Sequence, residues 1–217
     1  MEYKIVRSKR KTISLIVDEK ANLIVRAPLR VTDSYLSNLI SKKMNWILKK
    51  QNEILKKGAF KEKEFVDGEE FLYLGNKYVM KVDDCSKIEL NKYLFFPKKY
   101  FKKARLLIKQ WYIKEALEVF EERMEVYAKM TGWKYSNFTL SNAKRQWGVC
   151  DNRKRIKLNW KLIMAPLSII DYVVVHELAH TIQPNHSKKF WLEVENIIPD
   201  YKLKRKWLKD NSKYLNI

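Results

Sequence analysis

All three histidines of this 217-residue chain, His176, His180 and His186, lie within eleven positions of one another. The run Tyr172-Val173-Val174-Val175-His176-Glu177-Leu178-Ala179-His180 constrains the fold more than any other stretch. On an α-helix residues four apart share a face, so a helix here would carry His176 and His180 side by side. The apolar turn before them asks for that helix to be buried. Pro184 then bars the helix from continuing smoothly and biases Gln183 away from helical geometry. The chain must bend at Gln183-Pro184-Asn185, which can swing His186 back towards the other two.

The rest of the sequence reads as short strands and amphipathic helices. Ile13, Leu15 and Val17 alternate on one face. Leu23 and Val25 repeat the pattern after a turn over 18–22, and Pro28 closes the pair. Thr32 or Asp33 is a fitting N-cap for one helix with Leu36, Leu39, Ile40, Met44, Ile47 and Leu48 at helical spacing, ended by Gly58. Residues 65–82 read as a strand pair turning at Gly75-Asn76, and Ile88 and Leu90 as a short strand before Pro97. A long helix is expected over about 100–130, with Ile113, Ala116, Leu117, Phe120, Met124 and Tyr127 on one face and Thr131-Gly132 as its stop. Three short strands follow over 138–141, 147–150 and 155–159. Then come the histidine helix over 170–182, a helix capped by Ser187 and a basic helix from about Lys202. These elements give an α+β chain, with a strand-rich N-terminal region over 1–97 containing one helix, and a second half over 98–217.

Composition excludes several classes. A hydrophobic content of 46% with 13% aromatics supports a packed core, and 5 Gly with 5 Pro leave no room for low-complexity linkers. The longest apolar stretch, 162–175, is interrupted by Asp171 and is too short to span a bilayer, so no membrane is expected. The N-terminus has no apolar h-region of a signal peptide, and Cys85 and Cys150 do not make a disulfide framework. A cytoplasmic protein is expected. The net charge of +20 points to an anionic partner, with DNA or RNA contact the favoured form. The basic runs include Arg7-Ser8-Lys9-Arg10-Lys11, the lysines around Tyr100 and Phe101, Arg153-Lys154-Arg155, and Lys202 to Lys206, with Trp207 beside the last.

The His176-Glu177-Leu178-Ala179-His180 segment is an HExxH pattern, whose two imidazoles can reach one ion and whose glutamate can take a proton from a metal-bound water. Zinc lowers the pKa of such a water to about 7. Catalytic zinc uses three protein ligands and keeps a fourth position open, whereas structural zinc takes four. His186 is the nearest third ligand, and Glu193 or Glu195 are the alternatives. Cys150 reads as a small core residue rather than a ligand. Arg145, on the segment before the histidine helix, is a candidate for polarising a substrate carbonyl or binding an anion.

The chain resembles the YgjP-like predicted zinc metallopeptidases, relatives of SprT-like proteases and of minigluzincins. The resemblance lies in Trp147-Gly148-Val149-Cys150, Ile156-Lys157-Leu158-Asn159-Trp160, the segment from Asp171 to His180, Asn185-His186-Ser187-Lys188-Lys189-Phe190-Trp191 and Pro199-Asp200-Tyr201. It extends to Arg7 through Leu15, Arg26-Ala27-Pro28 and Trp46-Ile47. It implies a zincin-like catalytic half with one Zn²⁺ held by His176, His180 and His186, and with Glu177 as general base. It also implies a three-stranded sheet beside the active-site helix, whose edge an extended peptide can join. Tyr201 resembles the tyrosine that stabilises an oxyanion in some zinc proteases. Val149 departs from the pattern, which commonly has Ser there. The activity expected is peptide-bond hydrolysis of a peptide or protein substrate. The alternatives are zinc-dependent hydrolysis of a small anionic substrate such as a nucleotide, or a nucleic-acid-binding module with non-catalytic zinc.

Overall fold

A computed structural model describes residues 3–18, 21–56 and 63–217. The chain divides into two compact units, 1–61 and 62–217.

The first unit has three strands, β1 (Tyr3–Ser8), β2 (Ser14–Val17) and β3 (Leu23–Pro28), in the order β1-β3-β2. β1 runs parallel to β3 from Tyr3↔Leu23 to Ser8↔Pro28, and β2 is antiparallel to it. Two helices follow, α1 (Asp33–Lys42) and α2 (Met44–Lys56), where the sequence pattern gave one. Thr32 is the N-cap, its hydroxyl accepting from the Tyr35 N–H. At Lys43 the backbone leaves the helical region, φ −104° and ψ 8°, and the helix breaks. Leu23, Val25, Ala27, Leu36, Ile40 and Ile47 make this unit's own small core. Leu48, expected on the apolar face, is exposed. Gly58, the expected helix stop, lies outside the described residues, as do Glu19 and Lys20 of the first turn.

The second unit opens with a four-stranded sheet of β4 (Glu70–Tyr73), β5 (Asn76–Asp83), β6 (Glu89–Leu90) and β7 (Leu94–Pro97), ordered β4-β5-β7-β6. The sequence boundary at 97/98 therefore falls inside this unit. The reason is packing: Phe71, Met80, Leu94 and Phe96 are buried in the same core as the residues that follow. Alternation alone reveals that strands exist but not which core they join.

The β4–β5 turn sits at Leu74-Gly75, one residue earlier than the pattern suggested, with φ +46° and +82°. Two consecutive positive φ values twist the hairpin as a type I′ turn does, and Gly75 accepts its value without strain. The hairpin tip is not free. Leu74 N–H and Gly75 N–H donate to the carbonyls of Ile163 and Met164, and a Cβ on Gly75 would stand 2.7 Å from Pro166. Only glycine lets the hairpin reach this surface.

A short 3₁₀ segment (Lys98–Lys103) leads into α3 (Ala104–Thr131), which ends at Gly132 in the left-handed conformation, as the Thr131-Gly132 signal implied. Its buried stripe is Ile108, Tyr112, Ala116, Phe120 and Met124, so Leu117, expected on that face, is exposed. The strands β8 (Asn137–Ser141), β9 (Gly148–Cys150) and β10 (Arg155–Asn159) form a sheet in the order β8-β10-β9. β8 is parallel to β10, and β9 is antiparallel with Gly148 opposite Leu158 and Cys150 opposite Ile156. After a 3₁₀ turn (Trp160–Met164) come α4 (Leu167–Ala179), α5 (Lys188–Ile197) and α6 (Tyr201–Asn211). No helix among the described residues is long and apolar enough to cross a membrane. The architecture is α+β.

α4 is apolar nearly all round, with Ile169, Ile170, Val173, Val174, Val175, Leu178 and Ala179 buried, and so it packs in the middle of the unit. Its one half-buried acid, Asp171, accepts a 2.6 Å hydrogen bond from Arg123 Nε of α3. Gly75→Ala should destabilise the chain by about 1–3 kcal/mol through backbone strain and the Pro166 contact. A urea-unfolding midpoint unchanged from wild type would show that the hairpin tip does not depend on that approach.

Candidate metal centre

α4 starts at Leu167 behind Pro166 and ends at Ala179, three residues earlier at each end than the pattern suggested, so His180 is its C-cap. The chain then tightens, with Thr181 N–H donating to Leu178 O and Gln183 N–H to Ala179 O. This turn places the Gln183 carbonyl 3.0 Å from His180 Nδ1. A carbonyl can only accept, so Nδ1 carries the proton and Nε2 keeps its lone pair free for a ligand role.

Ser187 restarts the chain as the N-cap of α5, its hydroxyl accepting from Phe190 N–H. The cap sets the phase of α5 so that Phe190 and Trp191 meet the histidines. The Phe190 ring is within 5 Å, centroid to centroid, of all three imidazoles and stacks on His180. Trp191 stacks on His186 at 5.4 Å, and Tyr201 stacks on Trp191 at 5.1 Å. Tyr172, one turn before His176, is buried and meets that ring edge-on.

The three imidazoles converge. One ligand atom from each lies within 4.8 Å of the others, and His176 Nε2 stands 3.0 Å from His186 Nε2. Two imidazole nitrogens at that distance are held by a shared proton or by a common cation. Nitrogens around a tetrahedral zinc are about 3.3 Å apart given its bond lengths. Burial, then the positive character of His180, His186 and Arg205, pushes His176 down to about 3. Burial lowers His180 and His186 as well. All three are therefore neutral imidazoles near pH 7, the form that binds a metal. His176 Nδ1 is buried without a partner, so the pocket still has one polar atom to satisfy. The donor set fits a divalent cation. Neither Glu193 nor Glu195 belongs to the group, and nor does Cys150, half-buried with its thiol pushed up to about 11 mainly by burial.

Glu177 is only 5% exposed, and burial raises its carboxyl to about 8. It lies against the backbone of β9. A Cβ built on Gly148 would come within 2.4 Å of Glu177 Oε1 and 2.5 Å of its Cγ. Gly148 is thus the hydrogen-sized gap into which the carboxylate fits. The loop leading into β9 is held by Asn159, 2% exposed, whose amide donates to the carbonyls of Ala143 and Gln146 and accepts from Lys161 N–H. Asn159 N–H also donates to Trp147 O, and Trp160 Nε1 to Asn142 Oδ1. These bonds pin the loop that delivers Gly148 to Glu177.

Tyr201, a candidate from sequence, is buried and one aromatic ring away from His186. Arg145 is exposed on the loop between β8 and β9 and makes no hydrogen bond or ion pair among the described residues. Sequence reading overlooked Arg205. Its guanidinium lies 5.1 Å over the Trp191 ring, and its charge helps to depress both His176 and His186. Its helix neighbours Lys202, Lys204 and Lys206 each pair with a carboxylate, whereas Arg205 has none among the described residues. The signal available in the sequence was its spacing of four from Tyr201, one helical turn.

A family model described as YgjP-like, metallopeptidase domain, matches residues 11–211. No curated protein and no solved structure matches the chain. In a calorimetric titration with Zn²⁺ the chain should take up one ion, and His186→Ala should weaken uptake at least a hundredfold. Gly148→Ala should leave uptake within a few-fold of wild type, and loss of zinc in that variant would mean that Gly148 shapes the ligands themselves.

Proposed function

The chain belongs to the YgjP-like metallopeptidase family, and on that premise we propose that it is a zinc peptidase in which His176, His180 and His186 hold the ion and Glu177 is the general base. The observation that carries this reading is the convergence of three neutral imidazoles within 4.8 Å, one residue from a buried carboxylate that has Gly148 at its back. Three ligands leave a coordination position open, which favours a catalytic over a structural ion. Bound zinc supplies Lewis acidity, polarising the scissile carbonyl and acidifying water.

Glu177 accepts a proton from the attacking water and returns it to the leaving amine nitrogen. Burial raises the proton affinity of Glu177, and a cation held by the adjacent histidines would lower it again, so that the bound ion would leave the carboxylate free to accept the proton. Gly148 and Asn159 serve as positioning residues, fixing the carboxylate against β9. Among the described residues β9 is an edge strand of its sheet, so an extended peptide can add there through backbone hydrogen bonds. The developing oxyanion needs a donor or cation. Tyr201 and Arg145 are the candidates from the sequence, and Arg205 joins them because its unpaired charge reaches the ligands. That same charge favours a second reading, hydrolysis of a small anionic substrate at the same centre.

With zinc bound, Glu177→Gln should retain the ion and lose about 10²–10⁴ of wild-type turnover on an unfolded protein. Phosphate release from nucleotides by wild type, without peptide cleavage, would favour the second reading. Arg205→Ala should lower kcat/KM by about 10²-fold if it stabilises the oxyanion. An effect confined to Arg145→Ala would transfer that role to the β8–β9 loop.

A further inference from the structure

The six residues of the 3₁₀ segment, Lys98-Lys99-Tyr100-Phe101-Lys102-Lys103, are all exposed. They are not a loose tail. Phe96 and Pro97 before them and Ala104 and Ile108 after them are buried, so the segment is clamped at both ends. None of the four lysines has an ion pair among the described residues, although most lysines of α6 do. The two rings are 43% and 40% exposed, and the Lys99 ammonium lies 4.8 Å over the Tyr100 ring, leaving its other face for a base.

A 3₁₀ turn repeats every three residues, so side chains three apart lie over one another. Three ridges follow. Tyr100 and Lys103 share one, Lys98 and Phe101 another, and Lys99 and Lys102 the third. Two cavities flank the segment. Tyr100 and Lys103 line one of 430 Å³ together with Trp111, Leu107, Lys87 and Lys114, the last of which pairs with Glu118. Phe101 lines a second, of 630 Å³, with Lys98, Lys99, Lys102 and Asp67. Asp67 is already occupied, accepting from Val82 N–H. Each cavity therefore offers one exposed ring with lysines of the segment beside it, one on the Tyr100 side and three on the Phe101 side.

We propose that this segment is a binding surface for single-stranded nucleic acid, one base stacking on Tyr100, another on Phe101, and the phosphates lying along the lysines. Ring faces are open to bases only when the bases are unpaired, which selects a single strand over a duplex. Lysines act as point charges on phosphate and read no sequence. The surface is separate from the metal centre and does not depend on hydrolysis there.

The test is fluorescence anisotropy of the zinc-loaded chain with labelled twelve-nucleotide oligo-dT, oligo-U and a duplex of equal length, over a range of salt. Wild type should prefer the single strands, and log K should fall with log salt with a slope of about −3 for four lysine contacts. Equal binding of the two strands assigns recognition to phosphate and base, and a preference between them adds a sugar contact at the same surface. Tyr100→Ala and Phe101→Ala should each weaken binding by about fivefold or more without changing the slope. The combined substitution of Lys98, Lys99, Lys102 and Lys103 by Ala should flatten the slope and abolish tight binding. Circular dichroism and zinc stoichiometry serve as checks on folding. The proposal is overturned if the quadruple variant keeps the wild-type slope, if the duplex binds as well as the single strands, or if the ring variants lose binding to anionic lipid vesicles but not to oligonucleotides.

Discussion

The burial of α4 is the constraint from which the site follows. A helix apolar on every side is stable only when other elements cover it, and here α3, the β8–β10 sheet, α5 and α6 do so. Burying the six Ile, Val and Leu side chains of α4 at about 1.5–3 kcal/mol each offsets the cost of keeping two imidazoles and a carboxylate out of water. The desolvation does not vanish; it appears as a depressed His176 and a raised Glu177. The same packing that holds the fold thus sets the protonation states on which the chemistry depends.

Precision at the carboxylate comes from backbone rather than from side-chain partners. Glu177 meets the strand at Gly148, where a methyl group would not fit, and the loop leading into that strand is fixed by the two hydrogen bonds that the Asn159 amide donates to Ala143 and Gln146. A buried amide with every bond made is rigid, and its removal would free the loop between β8 and β9. On the other side, the carbonyl of Gln183 and the face of Phe190 hold His180 in one tautomer and one orientation. Glu177 and His180 therefore draw their supports from different elements.

Local signals in the sequence were sufficient for the long helix, the last three strands and the histidine group, but not for β1 or β7. Fourfold spacing, Pro184 and the Ser187 cap are short-range features whose consequences are short-range too. The structure departs where the deciding contact is distant. One helix became two at Lys43, which no helix breaker marks. The boundary at 97/98 moved to 61/62 because Phe71, Met80, Leu94 and Phe96 share a core with α3 and α4. Gly148 was visible as part of a motif, but its reason, the approach of Glu177 from twenty-nine positions away, is not written in any local pattern. Arg205 lay in a basic run in which nothing distinguishes it, and only its seat over Trp191 and its lack of a carboxylate partner set it apart.

The most direct test of the account is the ligand set of the metal. X-ray absorption at the zinc edge of the loaded chain should show three imidazole nitrogens and one light, non-imidazole neighbour, with no sulfur at about 2.3 Å. Four protein ligands, or a sulfur shell implicating Cys150, would make the ion structural and contradict a hydrolytic centre built on His176, His180 and His186.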